Sequence, residues 1–176
     1  MYSENFNILT ITHPDVENGL GCRVTLWCSG CSHHCPGCHN QHTWVYGQGK
    51  KLDDPIIRHK IFEAVDKPYI KGITLSGGDP LDQSFSALQE LEIFIDDFKK
   101  EFPEKDIWVF AGDTIETLVL SPIKKRILKK CDVLVDGPFI QEKYDPDLAF
   151  RGSTNQRIIN LKEWFNENQH YTKKDS

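Results

Sequence analysis

The chain has 176 residues, of which 39% are hydrophobic and 27% charged, with a formal net charge of −5. That length suits one domain with its own core; no stretch approaches the ~18 consecutive apolar residues that a membrane helix needs, and the acidic balance argues against nucleic-acid binding through basic patches. MYSENFNILTITHPDVENG carries acidic and amide residues where a secretory signal would have a basic start and an apolar run, so the expected compartment is the reducing cytoplasm.

Asn7 to Thr12 reads as an edge strand and Arg23 to Cys28 as the first central one, with Cys22, Val24, Leu26 and Cys28 alternating onto one face. Residues 28–40, CSGCSHHCPGCHN, then place four cysteines and three histidines within thirteen residues. In a reducing compartment such a cluster holds a metal or performs chemistry more often than it forms disulfides. Two ligand sets fit the spacing. All four thiolates can close around a structural zinc, or Cys31, Cys35 and Cys38 alone can hold a four-iron cluster with one iron left open. Cys28 on its strand face and the isolated Cys131 both have a bland explanation as small core residues. His33, His34, His39 and His42 read as loop residues, any one of which can complete a zinc site. Spacing alone does not choose between zinc and iron.

Asp54 caps a helix with Pro55 in its first turn, running through Ile56, Ile57, Ile61, Ala64 and Val65 and ending before Pro68. Gly72 to Ser76 is the next strand, closed by SGGDP at 76–80, in which Asp79 and Pro80 are placed to start a helix. Phe85, Leu88, Leu91, Phe94, Ile95 and Phe98 give that helix one apolar stripe before Pro103 stops it. Strands follow at Asp106 to Ala111, Val133 to Asp136 and Gln156 to Asn160, with helices over Thr114 to Leu120, from Ser121-Pro122 to Leu128, and over Leu161 to Asn166. Asp136 closes its strand at the edge where parallel sheets place their sites, or serves as a turn residue before Gly137-Pro138. Arg151, Asn155 and Arg157 of RGSTNQR suit a carboxylate, a partner protein or surface ion pairs. The chain reads as a single domain over 1–176, with a frayed tail from about residue 168.

Cys-x3-Cys-x2-Cys after the first strand of a βα-repeating chain, followed by SGGDP at a strand end, resembles the radical S-adenosylmethionine (SAM) enzymes. The ordered set NGLGCR, CHNQHTW, LSGGDPL, KDIWVF, VLVDGPF and RGSTNQR resembles, more narrowly, the activating proteins of anaerobic ribonucleotide reductases, from about Asn18 to Arg157. Leu20 stands where that family usually has proline, and FAGD at 110–113 replaces a more usual WTGY, so no role is carried onto that loop.

The resemblance implies an α/β fold, an incomplete βα barrel of the radical SAM type with five or six mostly parallel strands, since the chain is well short of the ~250 residues of a full barrel. It implies a 4Fe-4S cluster on Cys31, Cys35 and Cys38, with SAM chelating the open iron and lined by Gly37, Cys38, His39, Gly77, Gly78, Asp79 and Asp136. The implied reaction is reductive cleavage of SAM to methionine and a 5′-deoxyadenosyl radical, which takes hydrogen from a glycine of the large subunit of the reductase. Reduced flavodoxin or ferredoxin is the implied electron donor, with no nucleic acid or membrane as partner. The alternatives are an activase of pyruvate formate-lyase or another glycyl-radical enzyme, and a zinc-stabilised binding module without turnover.

Overall fold

A computed structural model describes residues 1–171. Its framework is one open sheet of seven strands: β1 (Asn7–Asp15), β2 (Arg23–Cys28), β3 (Lys50–Lys51), β4 (Gly72–Gly77), β5 (Asp106–Phe110), β6 (Val133–Asp136) and β7 (Arg157–Asn160). Their order across the sheet is β3-β1-β2-β4-β5-β6-β7. β2, β4, β5 and β6 run parallel, while β1, β3 and β7 are each antiparallel to the strands they pair with. The sheet is thus mixed α/β, parallel in the middle and not closed.

Two differences from the sequence reading have clear causes. β3 is a pair of exposed lysines, too short for any periodicity to announce it. β7 is antiparallel to β6, and the chain between them contains none of the α-helices that usually carry a parallel crossover. β1 lies between β2 and β3 and is paired on both sides at its start.

Helix α1 (Pro55–Val65) begins as expected, with the Asp54 side chain accepting from the N–H groups of Ile56 and Ile57. Helix α2 (Phe85–Glu101) does not begin at Asp79. Its cap is Ser84, whose hydroxyl accepts from the Ala87 N–H, and residues 79–82 form a separate turn. Phe85 consequently points to solvent, whereas Leu88, Leu91, Phe94, Ile95 and Phe98 are buried as the stripe requires. α3 (Ile115–Leu118), α4 (Pro122–Lys130) and α5 (Leu161–Glu167) complete the described helices. One continuous core joins strands and helices, from Phe6 and Ile8 to Leu161 and Phe165. No described helix is long and apolar enough to cross a membrane.

Of the tail read as frayed, Gln169–Tyr171 form a short 3-10 turn, with Tyr171 stacked on Trp164 and its carbonyl accepting from Lys125 Nζ at 2.7 Å. Residues 172–176 lie outside the described residues.

Candidate metal and cofactor site

The parallel strands end at Cys28, Gly77, Phe110 and Asp136, and the four segments that follow them build one site. The cysteine loop leaves β2 and folds back on itself. The Gly30 N–H donates to the Thr43 carbonyl at 2.7 Å and the Cys31 N–H to the Trp44 carbonyl at 3.1 Å. Within the loop, the Cys38 N–H donates to the Cys35 carbonyl at 3.1 Å around Pro36 and Gly37, with Gly37 at φ +77°. A turn with proline first and a left-handed residue second is the type II arrangement that glycine serves.

The six cysteines separate cleanly. Cys28 is buried in the core under the loop, Cys131 is buried in the core just before β6, and Cys22 lies just before β2 at the opposite end of that strand. Cys31, Cys35 and Cys38 are half-buried on the loop itself. Burial pushes the Cys31 thiol up to about 12. Cys31, His33 and Asp82 also bring their ligand atoms within 4.8 Å of one another. Asp82 is already committed, however: one oxygen accepts from the Ser32 N–H and hydroxyl, both at 2.6 Å, and from Tyr46 at 2.9 Å, and the other accepts from Tyr2 at 2.9 Å. Burial opposes its charge, but these four donors outweigh it and hold its carboxyl below the usual range. The donor set that remains, three thiols on one loop with the fourth cysteine of the motif turned into the core, fits an iron–sulfur cluster with one open iron.

Asp79 does more than start a turn. It is buried, and Oδ1 accepts from the N–H groups of Leu81 and Asp82 while Oδ2 accepts from the Gly112 N–H at 2.8 Å and meets His33 Nε2 at 2.9 Å. The Asp79 contact, stronger than the opposing burial, raises the His33 pKa. Asp79 thus joins the cysteine loop, the SGGDP turn and the loop after β5. Gln83 adds a second clasp, its side-chain N–H group reaching the carbonyls of Ser29, Gly30 and Asp79. The sequence reading named His33 only as a loop residue able to complete a zinc site and did not single out Gly112 or Gln83; the glycine in FAGD was the available signal, because a Cβ there would lie 2.5 Å from the His33 ring.

Gly77 and Gly78 have a packing role that precedes any ligand. A Cβ on Gly77 would lie 2.6 Å from the Cys28 backbone, and one on Gly78 would lie 2.3 Å from the Gly30 carbonyl oxygen. Their bare backbones let the turn sit directly under the first residues of the cysteine loop. His39 is exposed at the loop surface, with the Phe139 and Tyr144 ring centroids 5.6 and 5.5 Å away. The segment after β6 therefore lies against the far side of the cysteine loop, where Gln141 also packs on Gly37.

Asp136 is fully buried at the end of β6. One oxygen accepts from the Ile115 N–H at 2.8 Å, and both bind the guanidinium of Arg157, which in turn holds Glu116. Arg151 and Asn155 brace the same segment through the carbonyls of Gln156 and Pro138. RGSTNQR thus orders its own loop, and Arg157 is an ion-pair partner of Asp136. Arg157→Ala would leave a buried carboxylate with one donor; because Arg157 is nearly half exposed, the expected loss is about 2 kcal/mol, read by thermal unfolding, with Asp136→Asn/Arg157→Ala recovering part of it.

NGLGCR lies at the other end of the sheet. Arg23 there is fully buried, donating to Thr74 Oγ1 at 2.7 Å and to the carbonyls of Ile73 and Leu20, so that motif secures the strand starts and touches no part of the site.

The sequence matches the family described as a 4Fe-4S single cluster domain over residues 17–159. It is 42% identical over 158 residues to the anaerobic ribonucleoside-triphosphate reductase-activating protein of Haemophilus influenzae, covering 89% of this chain and 99% of that one. The chain belongs to this family of activating proteins. The protein of the same name from Vibrio cholerae is 44% identical over 147 residues, 82% of this chain and 91% of its own, and that of Escherichia coli is 38% identical over 152, covering 84% and 94%. The family match spans the cysteine loop, the SGGDP turn and Asp136, so every strand end that builds the site falls within it.

Proposed function

We propose that the chain is a radical SAM activase of the anaerobic ribonucleotide reductase, working in the cytoplasm, and that its open sheet is a partial βα barrel whose unclosed side admits a loop of the reductase. The observation that carries this is the set of three half-buried thiols, Cys31, Cys35 and Cys38, beside a core-facing Cys28, in a chain of a 4Fe-4S family. The relatives' name supplies the partner. When bound, the cluster and SAM supply a one-electron reductive cleavage whose product takes a hydrogen atom from a glycine of the reductase large subunit.

The chain's own residues hold the reactants. Cys31, Cys35 and Cys38 ligate three irons and leave the fourth for SAM. Gly37, Cys38 and His39 line SAM, His39 through its backbone or a face contact of its ring, and Gly77 and Gly78 offer carbonyls to its ammonium group. Asp79 and Asp136 act as positioning residues, the first by fixing the turn against His33 and Gly112, the second by fixing Arg157 and the start of α3. Reduced flavodoxin or ferredoxin supplies the electron.

The test is anaerobic reconstitution with iron and sulfide, reduction, and addition of SAM with the reductase. The expected products are 5′-deoxyadenosine and a glycyl radical on the reductase, read by electron paramagnetic resonance. A radical formed on pyruvate formate-lyase instead would reassign the partner, and full folding with one zinc and no cluster absorption would replace the enzyme by a binding module.

A further inference from the structure

β1 pairs with β2 along its length but with β3 only at Asn7 and Ile8. From Leu9 onward its outer edge has no partner strand among the described residues, and such an edge is a ready template for another strand. Beside this edge a groove of about 520 Å³ runs between β1 and α1. Its floor is apolar, formed by Ile11, Ile57 and Ala64, and its rim carries Lys50, Lys60 and Lys67 against a single acid, Glu63. In a chain of net charge −5, three lysines to one glutamate is a local reversal of sign. Ile8 pairs with both Cys28 and Lys50, so the groove starts at the end of the sheet that carries the cysteine loop and runs away from it.

We propose that this groove docks an extended, acidic peptide segment of a partner protein. The segment adds a strand to the free edge of β1, sets alternate apolar side chains on Ile11, Ile57 and Ala64, and places its carboxylates against the three lysines. Main-chain pairing supplies affinity, while the apolar floor and the charged rim supply selectivity. The groove includes no residue of the cysteine loop, so it stands apart from the cluster chemistry.

The probe is a fluorescein-labelled octapeptide alternating glutamate with valine, titrated into the full chain, with a lysine–valine octapeptide as control. Saturable binding of the acidic peptide alone is expected, weakened about tenfold in Lys60→Glu/Lys67→Glu and weakened again by high salt. Both lysines are exposed, so the double variant keeps its fold. Amide exchange followed by nuclear magnetic resonance should slow between Leu9 and His13 when the peptide binds. Equal binding of both peptides, no binding of either, or slowed exchange on another segment would overturn the proposal. Edge amides that become protected with rising protein concentration and no peptide would give the edge to a second copy of the chain and overturn it equally.

Discussion

Replacing any one of Cys31, Cys35 or Cys38 by alanine is expected to abolish binding of an intact 4Fe-4S cluster, and with it all formation of 5′-deoxyadenosine, because in the proposed ligand set each thiolate closes the coordination of one iron and the other cysteines lie off the loop. Cys28→Ala and Cys131→Ala should retain the cluster. Both side chains belong to the core, and burial pushes the Cys28 thiol well above its ordinary range, so each variant should lose only about 1 kcal/mol of stability through lost packing. The measurement is iron and sulfide content together with visible absorption after anaerobic reconstitution. A cluster kept in Cys35→Ala, or lost in Cys28→Ala with the fold intact, would remove the ligand assignment.

The next largest effect is expected from Gly78→Ala. Its new methyl would lie 2.3 Å from the Gly30 carbonyl oxygen and 2.8 Å from the carbonyl carbon, and both neighbours are backbone, so no side chain can rotate out of the way. The turn must then withdraw from the loop, stretching the hydrogen bonds from Gly78 N–H to the Cys28 carbonyl and from Asp79 N–H to the Gly30 carbonyl. A loss of roughly 2–4 kcal/mol follows, with a thermal midpoint lower by roughly 5–15 °C. Gly77→Ala should resemble it, since a left-handed φ of +103° adds to a 2.6 Å contact with Cys28. Gly47→Ala separates strain from collision. Its φ is +77° but its nearest neighbour is Ser3 at 3.8 Å, so it should lose only about 1 kcal/mol. Equal losses in all three variants would show that conformation alone, and not the contact between turn and loop, sets the requirement for glycine.

Much of the framework was legible in the sequence because its signals are local. β2, β4, β5 and β6 announce themselves as short apolar runs, α1 by Asp54 and Pro55, and α2 by its stripe from Leu88 to Phe98. Local competition misled at one point. Asp79 followed by Pro80 carries every mark of a helix start, yet Asp79 spends its carboxylate on the turn and on two other loops, and the helix waits for Ser84. β3, and the antiparallel direction of β7, depend on partners far along the chain and have no local mark.

By itself, then, the sequence picked out the residues proposed to hold the cluster and its ligand: the spacing Cys31, Cys35, Cys38, the paired glycines of SGGDP, and an aspartate at the end of β6. Only the tertiary structure decided how they work together. Cys28 turns inward because strand alternation places it on the core face. Asp79 ties three strand ends together because parallel pairing brings their C-terminal ends to one edge, and Arg157 reaches Asp136 because β7 returns antiparallel beside β6. Local composition specifies ligands and turns; the meeting of residues 33, 79 and 112 is a property of strand order, which no window of the sequence contains.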